Sequence, residues 1–197
     1  MGQEAKARTG TILILGGPNG AGKTTAARIF LPEFLGLDRF VNADELARGL
    51  DPANPEGSAL AAGRLMLTRI HELIEARESF AFESTLAGKS YARLLEQCKS
   101  RGWRIILLYL WLPSPDLAIE RVARRVREGG HSIPADVIRR RYRAGLDNLS
   151  EIYLPLADEA RIYDNSVERV LVAEKSPNSP LRICDAERWG RLKGDLR

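Results

Sequence analysis

A lysine followed by two threonines closes a glycine-rich run, Gly16-Gly17-Pro18-Asn19-Gly20-Ala21-Gly22-Lys23-Thr24-Thr25. Within it Gly17, Gly22, Lys23 and Thr24 fall at the spacing G-x-x-x-x-G-K-[ST]. That combination suits a chain of phosphates. Glycines let the backbone turn its N–H groups inward around phosphate oxygens, in conformations that other residues resist. The lysine reaches the outer phosphates, and the Thr24 hydroxyl is a candidate magnesium ligand. Gly17, Pro18, Asn19, Gly20, Ala21, Gly22, Lys23, Thr24 and Thr25 are therefore the candidate nucleotide-binding residues. The loop alone specifies ATP or GTP binding and no reaction, because kinases, motors and switches share it.

A reaction needs further groups. Asp44 follows an apolar run and opens the segment "DELARGL". Aspartate also favours helix caps and first turns for purely structural reasons. A phosphate loop on the neighbouring strand favours the chemical role, a carboxylate that orients an acceptor hydroxyl and takes its proton. Glu83, with Ser84 and Thr85, closes another apolar run. It either positions magnesium or its waters, or binds acceptor hydroxyls beside Asp44. Asn42 and Thr85 join Asp44 and Glu83 as candidate substrate-side residues.

A third group is basic. Residues 121–143 hold Arg121, Arg124, Arg125, Arg127, Arg139, Arg140, Arg141 and Arg143 against Glu128 and Asp136, a window of +6 in a chain of +4. Arg121 and Arg125, four apart, share a helix face. "EGGHSIP" (128–134) between the two basic limbs permits a hinge. All eight cations are arginine, whose rigid fork matches phosphate oxygens better than bare charge requires. Helix, loop and helix then form a lid that brings guanidinium groups to a transferring phosphoryl group. His131 is expected to pack the loop. "YDNS" (163–166) is a turn that also offers Asn165 as a border of the nucleotide base.

The elements that must position these groups alternate. Strands are expected at 11–16, 39–43, 79–83, 103–112, 161–164 and 169–174. Helices are expected at 23–31, 43–50, 57–77, 89–101, 115–128, 135–148 and 150–158. Helix 57–77 carries an apolar face of Leu60, Ala61, Leu65, Leu67, Ile70, Leu73 and Ile74. Strand 103–112 is apolar almost throughout, so it belongs at the sheet's centre. Alternating elements predict a three-layer α/β/α P-loop fold, its central sheet mainly parallel, with an arginine-rich helical lid. Ligands then gather outside the carboxyl ends of the strands, where Asn42, Asp44, Glu83, Thr85 and Asn165 all fall.

At 197 residues the chain suits one domain over 1–197, with 121–143 as lid and 176–197 as a C-terminal extension. That extension is expected to pack one short helix around Trp189 and to be poorly ordered at its end. The first ten residues lack the apolar core of a signal peptide. The longest apolar run, Ile105 to Leu112, is too short to span a membrane. Cys98 and Cys184 set no disulfide framework or zinc spacing. The cytoplasm is the expected compartment. The basic window fits a polyanionic small molecule as well as it fits DNA, and the 7% aromatics show no stacking series of the RNA-binding type.

The blocks "GGPNGAGKTT", "VNADELA", "FAFESTLAG", "RVARRVREGGHSIPADVIRRRY" and "YDNS", in that order from Thr11 to Ser166, resemble the zeta-toxin family of P-loop kinases. The resemblance implies ATP- and magnesium-dependent transfer of a phosphoryl group to a small-molecule hydroxyl, with UDP-N-acetylglucosamine as the family's known acceptor. It implies a catalytic base at Asp44 and a nucleotide site at Lys23 and Thr24. It implies substrate-side roles for Glu83 and Thr85, lid arginines at Arg125 and Arg140, and a protein antitoxin as partner. The segments between Asp44 and Glu83, and after Ser166, are short and predict a small acceptor pocket. A polynucleotide 5′-kinase and a nucleotide-dependent switch remain alternatives. No LSGGQ-like signature of a transporter ATPase is present.

Overall fold

Alternating side chains on the first strand divide the interior in two. The strand β1 (Thr11–Gly16) sends Ile12 and Ile14 to one face and Leu13 and Leu15 to the other, all four nearly fully buried. A strand that buries both faces must be covered on both. Ile12 and Ile14 join Phe80, Phe82, Met66 and Tyr142 in one core. Leu13 and Leu15 join Ala26, Phe30, Val122 and Ile138 in the other. The computed structural model describes residues 10–35, 39–51 and 57–195. The N-terminal segment before Gly10 and the chain's last two residues, on which expectations were placed above, lie outside them.

The remaining strands are β2 (Phe40–Val41), β3 (Phe80–Ser84), β4 (Arg104–Trp111), β5 (Glu159–Asp164), β6 (Val170–Lys175) and β7 (Arg182–Ile183). They form one sheet in the order β2-β3-β1-β4-β5-β6-β7. The pairs from β2 through β5 are parallel, and β6 and β7 are antiparallel additions. The central place expected for strand 103–112 is that of β4. One adjacency differs. The strand before Asp44 does not neighbour the phosphate-loop strand, because β3 lies between them. Glu83 at the end of β3 therefore separates Lys23 from Asp44.

The helices are α1 (Lys23–Leu35), α2 (Ala43–Leu50), α3 (Ala59–Glu75), α4 (Ser90–Ser100), α5 (Pro115–Arg127), α6 (Ala135–Asn148), α7 (Leu154–Leu156) and α8 (Ala186–Asp195). Among the described residues no helix is long and apolar enough to cross a membrane. Two helical expectations need correction. On α3 the buried stripe is Ala62, Met66, Ile70, Leu73 and Ile74, while Leu60 and Leu65 are exposed. The 4-4-3 spacing of the buried set follows the helix surface more closely than the broader stripe. The helix expected at 150–158 is instead a π-helical turn, Leu149–Tyr153, that continues α6 into α7.

That continuation holds the loop after β3. Leu86 there adopts a left-handed conformation, φ 59°, although it is not glycine. The Asn148 amide donates to the Leu86 carbonyl at 2.8 Å, and the Tyr153 hydroxyl donates to the Gly88 carbonyl at 2.8 Å. Gly145 packs so closely that a Cβ there would lie 2.4 Å from the Thr85 carbonyl oxygen. Gly145→Ala must push that backbone aside. Overpacking of this kind costs about 1–3 kcal/mol. We expect a thermal midpoint lowered by several degrees, read by calorimetry, with a displaced Thr85 as the cause.

Candidate active site

The phosphate loop leaves β1 through Gly17, whose φ of 144° and close approach to the Leu110 carbonyl exclude any side chain. Lys23, at the start of α1, is buried. Its ammonium donates to the Pro18 carbonyl at 2.9 Å and lies 3.6 Å from Glu83 Oε1. Burial pushes its pKa down. Glu83 and Asp44 oppose that shift, and Arg125 adds to it. The Thr24 hydroxyl donates to Glu83 Oε2 at 2.8 Å. Thr25 is exposed, and Asn19 Oδ1 is buried without a partner.

Asn42 caps α2, its side-chain oxygen accepting the Asp44 N–H at 2.8 Å. Its amide donates to Glu83 Oε2 at 3.0 Å. The cap is thus already supplied, and the Asp44 carboxylate is released from that duty. It turns to the cleft, where Oδ2 lies 3.7 Å from His131 Nε2 and 4.0 Å from Arg125 Nη1. Asn42→Ala should remove both the cap and the brace on Glu83. Loss of an N-cap costs about 1 kcal/mol. A chemical-denaturation midpoint should fall accordingly, and the Glu83 carboxylate should lose a donor.

Glu83 sits with Lys23 and Thr24, its two carboxylate oxygens shared between them. Thr85 and Ser84 line the cleft one step further along. The Ser84 hydroxyl accepts the Leu86 N–H at 3.0 Å.

The arginines separate into groups. Arg125 reaches two residues that line the cleft, its Nη1 4.0 Å from Asp44 Oδ2 and its Nη2 donating to the His131 carbonyl at 3.3 Å, and its Nε is buried without a partner. Arg140 and Arg141 line the opposite wall from α6. Arg139 instead pairs with Asp116 at 3.1 Å. Arg121 donates to the Ser166 carbonyl beside the phosphate loop. Arg124 and Arg127 are exposed and line no part of the cleft. A helix has one inward face, and consecutive arginines cannot all occupy it. Asn165 donates to the Ala21 carbonyl at 2.8 Å and so grips the loop itself.

His131 packs against Arg125 and also brings its Nε2 to 3.7 Å from Asp44 Oδ2. No spacing signal marked it. Met66 and Tyr91 were also missed. They wall the cleft from α3 and α4, the Tyr91 hydroxyl donating to Met66 Sδ at 3.3 Å. Their signal was hidden because both are ordinary residues of an apolar face. The cleft measures about 670 Å³, within the range of sites for drug-sized ligands.

The sequence matches the family model described as "Zeta toxin" over residues 2–176. An uncharacterized protein of Haemophilus influenzae is 31% identical over 126 residues, which are 64% of this chain and 88% of that protein. Among solved structures, AvrRxo1-ORF1:-ORF2 with ATP aligns at TM-score 0.75 and 18% identity, covering 98% of this chain. The chain spans 66% of the length of that AvrRxo1 chain. A chain of the PezAT chromosomal toxin–antitoxin system of Streptococcus pneumoniae aligns at TM-score 0.60 and 20% identity, over 85% of this chain and 72% of that one. The structural likenesses establish the α/β P-loop kinase fold, and the family match covers most of the sequence: the chain belongs to the zeta-toxin family.

Proposed function

We propose that this protein is an ATP- and magnesium-dependent kinase that transfers the γ-phosphoryl group to a hydroxyl of a small molecule. The observation that carries the reading is the Asp44 carboxylate, freed from capping by Asn42 and turned into the same cleft as Lys23. Asp44 takes the proton of the acceptor hydroxyl as its oxygen attacks phosphorus. Lys23 and the loop amides hold the phosphates. Arg125, Arg140 and Arg141 border the space where charge moves toward the leaving group, which such groups stabilise. The donor set fits magnesium, which prefers oxygen and shares its shell with phosphate. The Thr24 hydroxyl and the Glu83 carboxylate already meet, and Asn19 Oδ1 is a nearby buried oxygen without a donor. When bound there, magnesium would draw charge from the phosphates.

A nucleotide sugar is the favoured acceptor class, with UDP-N-acetylglucosamine first. Family membership and a cleft of about 670 Å³ support it. A protein antitoxin is the proposed partner, supported by the toxin–antitoxin system to which one structural neighbour belongs. The free thiols Cys98 and Cys184 suit a cytoplasmic setting.

The test is an acceptor panel. The protein, ATP and magnesium are incubated with UDP-sugars, other hydroxyl metabolites and 5′-hydroxyl oligonucleotides, and products are weighed for one added phosphoryl group. A phosphorylated UDP-sugar supports the full reading. A product on oligonucleotides alone replaces the acceptor class. ATP binding without any product favours a switch.

A further inference from the structure

The turn after β5 is held from the C-terminal side by a helix that lies beyond the family match. α8 begins at Ala186, whereas the match ends at residue 176. One face of α8 carries Arg188, Arg191 and Leu192, at the i, i+3, i+4 spacing of a shared face. Leu192 is buried, and the Arg191 guanidinium lies 5.8 Å from the centre of the Trp111 ring. Arg188 Nε donates to Asp164 Oδ2 at 3.1 Å, and its Nη1 to Asp185 Oδ2 at 2.6 Å.

Asp164 is the centre of this arrangement. It is only 3% exposed, so its carboxylate depends on partners. Its second oxygen accepts the Ser166 N–H at 2.8 Å. Asn165, between them, receives its backbone hold from the Trp111 carbonyl at 2.9 Å and donates its side chain to the Ala21 carbonyl. The Ser166 carbonyl accepts from Arg121 of α5, the first limb of the basic lid segment. A three-residue turn thus joins the phosphate loop, the lid limb and the C-terminal helix.

We infer that Arg188 is a positioning residue for the nucleotide site, holding Asp164 so that Asn165 keeps the phosphate loop in its binding shape. The inference rests on the nucleotide-binding reading above. Arg188 touches no cleft residue and acts only through Asp164. Its loss takes from Asp164 Oδ2 its guanidinium donor, so the buried carboxylate reorients or takes up a proton, and the hydrogen bond to the Ser166 N–H weakens with it.

The experiment titrates ATP with magnesium into the 197-residue chain by calorimetry and then measures turnover with any acceptor that the panel yields. Arg188→Ala should weaken ATP binding by about tenfold or more, the scale of a lost charge-assisted hydrogen bond. The KM for ATP should rise alike, and kcat should change much less. Arg188→Lys should recover most of the affinity. If Arg188→Ala fails to fold, the double variant Asp164→Asn with Arg188→Ala removes the unpaired charge while still breaking the link. It should bind ATP as weakly. ATP affinity at the wild-type level in either variant overturns the inference, as does a fall confined to kcat. A wild-type protein that binds no ATP overturns the nucleotide reading itself, and this inference with it.

Discussion

Asp44→Asn should lower phosphotransfer by about 10²–10⁴-fold, the range typical of a lost general base, while ATP still binds. The substitution keeps the shape of the side chain and removes its ability to accept the acceptor's proton. The fold should tolerate it. Asn42 supplies the cap of α2, and the Asp44 backbone N–H that it holds is unchanged. The stability cost is limited to the carboxylate's place in the first helical turn, about 0.3–1 kcal/mol, and to its partly exposed contacts with His131 and Arg125. Turnover measured beside calorimetric ATP binding separates the two effects. Turnover within a factor of two of wild type would show that Asp44 is not the base.

The second large effect belongs to Lys23→Ala. This ammonium is buried between the Pro18 carbonyl and Glu83. It occupies that place against the burial that pushes its pKa down. A lysine placed where burial disfavours its charged form is held there for something other than stability. Removing it deletes the cation facing the outer phosphates. We expect ATP binding to weaken and turnover to fall by about 10²–10³-fold, the scale of one lost stabilising donor at a transferring group. The fold should persist, because Glu83 keeps its donors Thr24 and Asn42. Unlike Asp44→Asn, this variant should fail in binding as well as in turnover. That contrast assigns one residue to nucleotide and the other to acceptor.

Much of the arrangement was legible because local rules and global topology agree along this chain. A branched apolar run before a glycine-rich loop fixes a strand and the helix after it, and parallel strands must deliver their ends to one edge. Lys23, Asn42, Asp44, Glu83 and Thr85 line one cleft for that reason, and Thr24 reaches it through Glu83. What was not legible depends on lateral order and on rotation. Nothing in "VNADELA" states that β3 intervenes between it and the phosphate loop. The contact of Glu83 with Lys23 and Thr24 follows from that order. The buried face of α3 turns on small residues such as Ala62, which carry little hydropathic signal. Composition marks the basic window as a whole, yet only the helix phase puts Arg140 and Arg141 on the cleft wall and Arg125 against Asp44 and His131, apart from Arg124, Arg127 and Arg139. His131 and Tyr91 reach the cleft through tertiary packing alone.

The most direct measurement of the central claim is the coupling between nucleotide consumed and acceptor phosphorylated. ADP and phosphorylated acceptor are counted in the same reaction, for the wild-type protein and for Asp44→Asn. Transfer through Asp44 requires equal amounts of the two in the wild type, and near loss of both in the variant. ADP formed without phosphorylated acceptor, at equal rates in the two proteins, would contradict a kinase and leave a nucleotide hydrolase in which Asp44 takes no part.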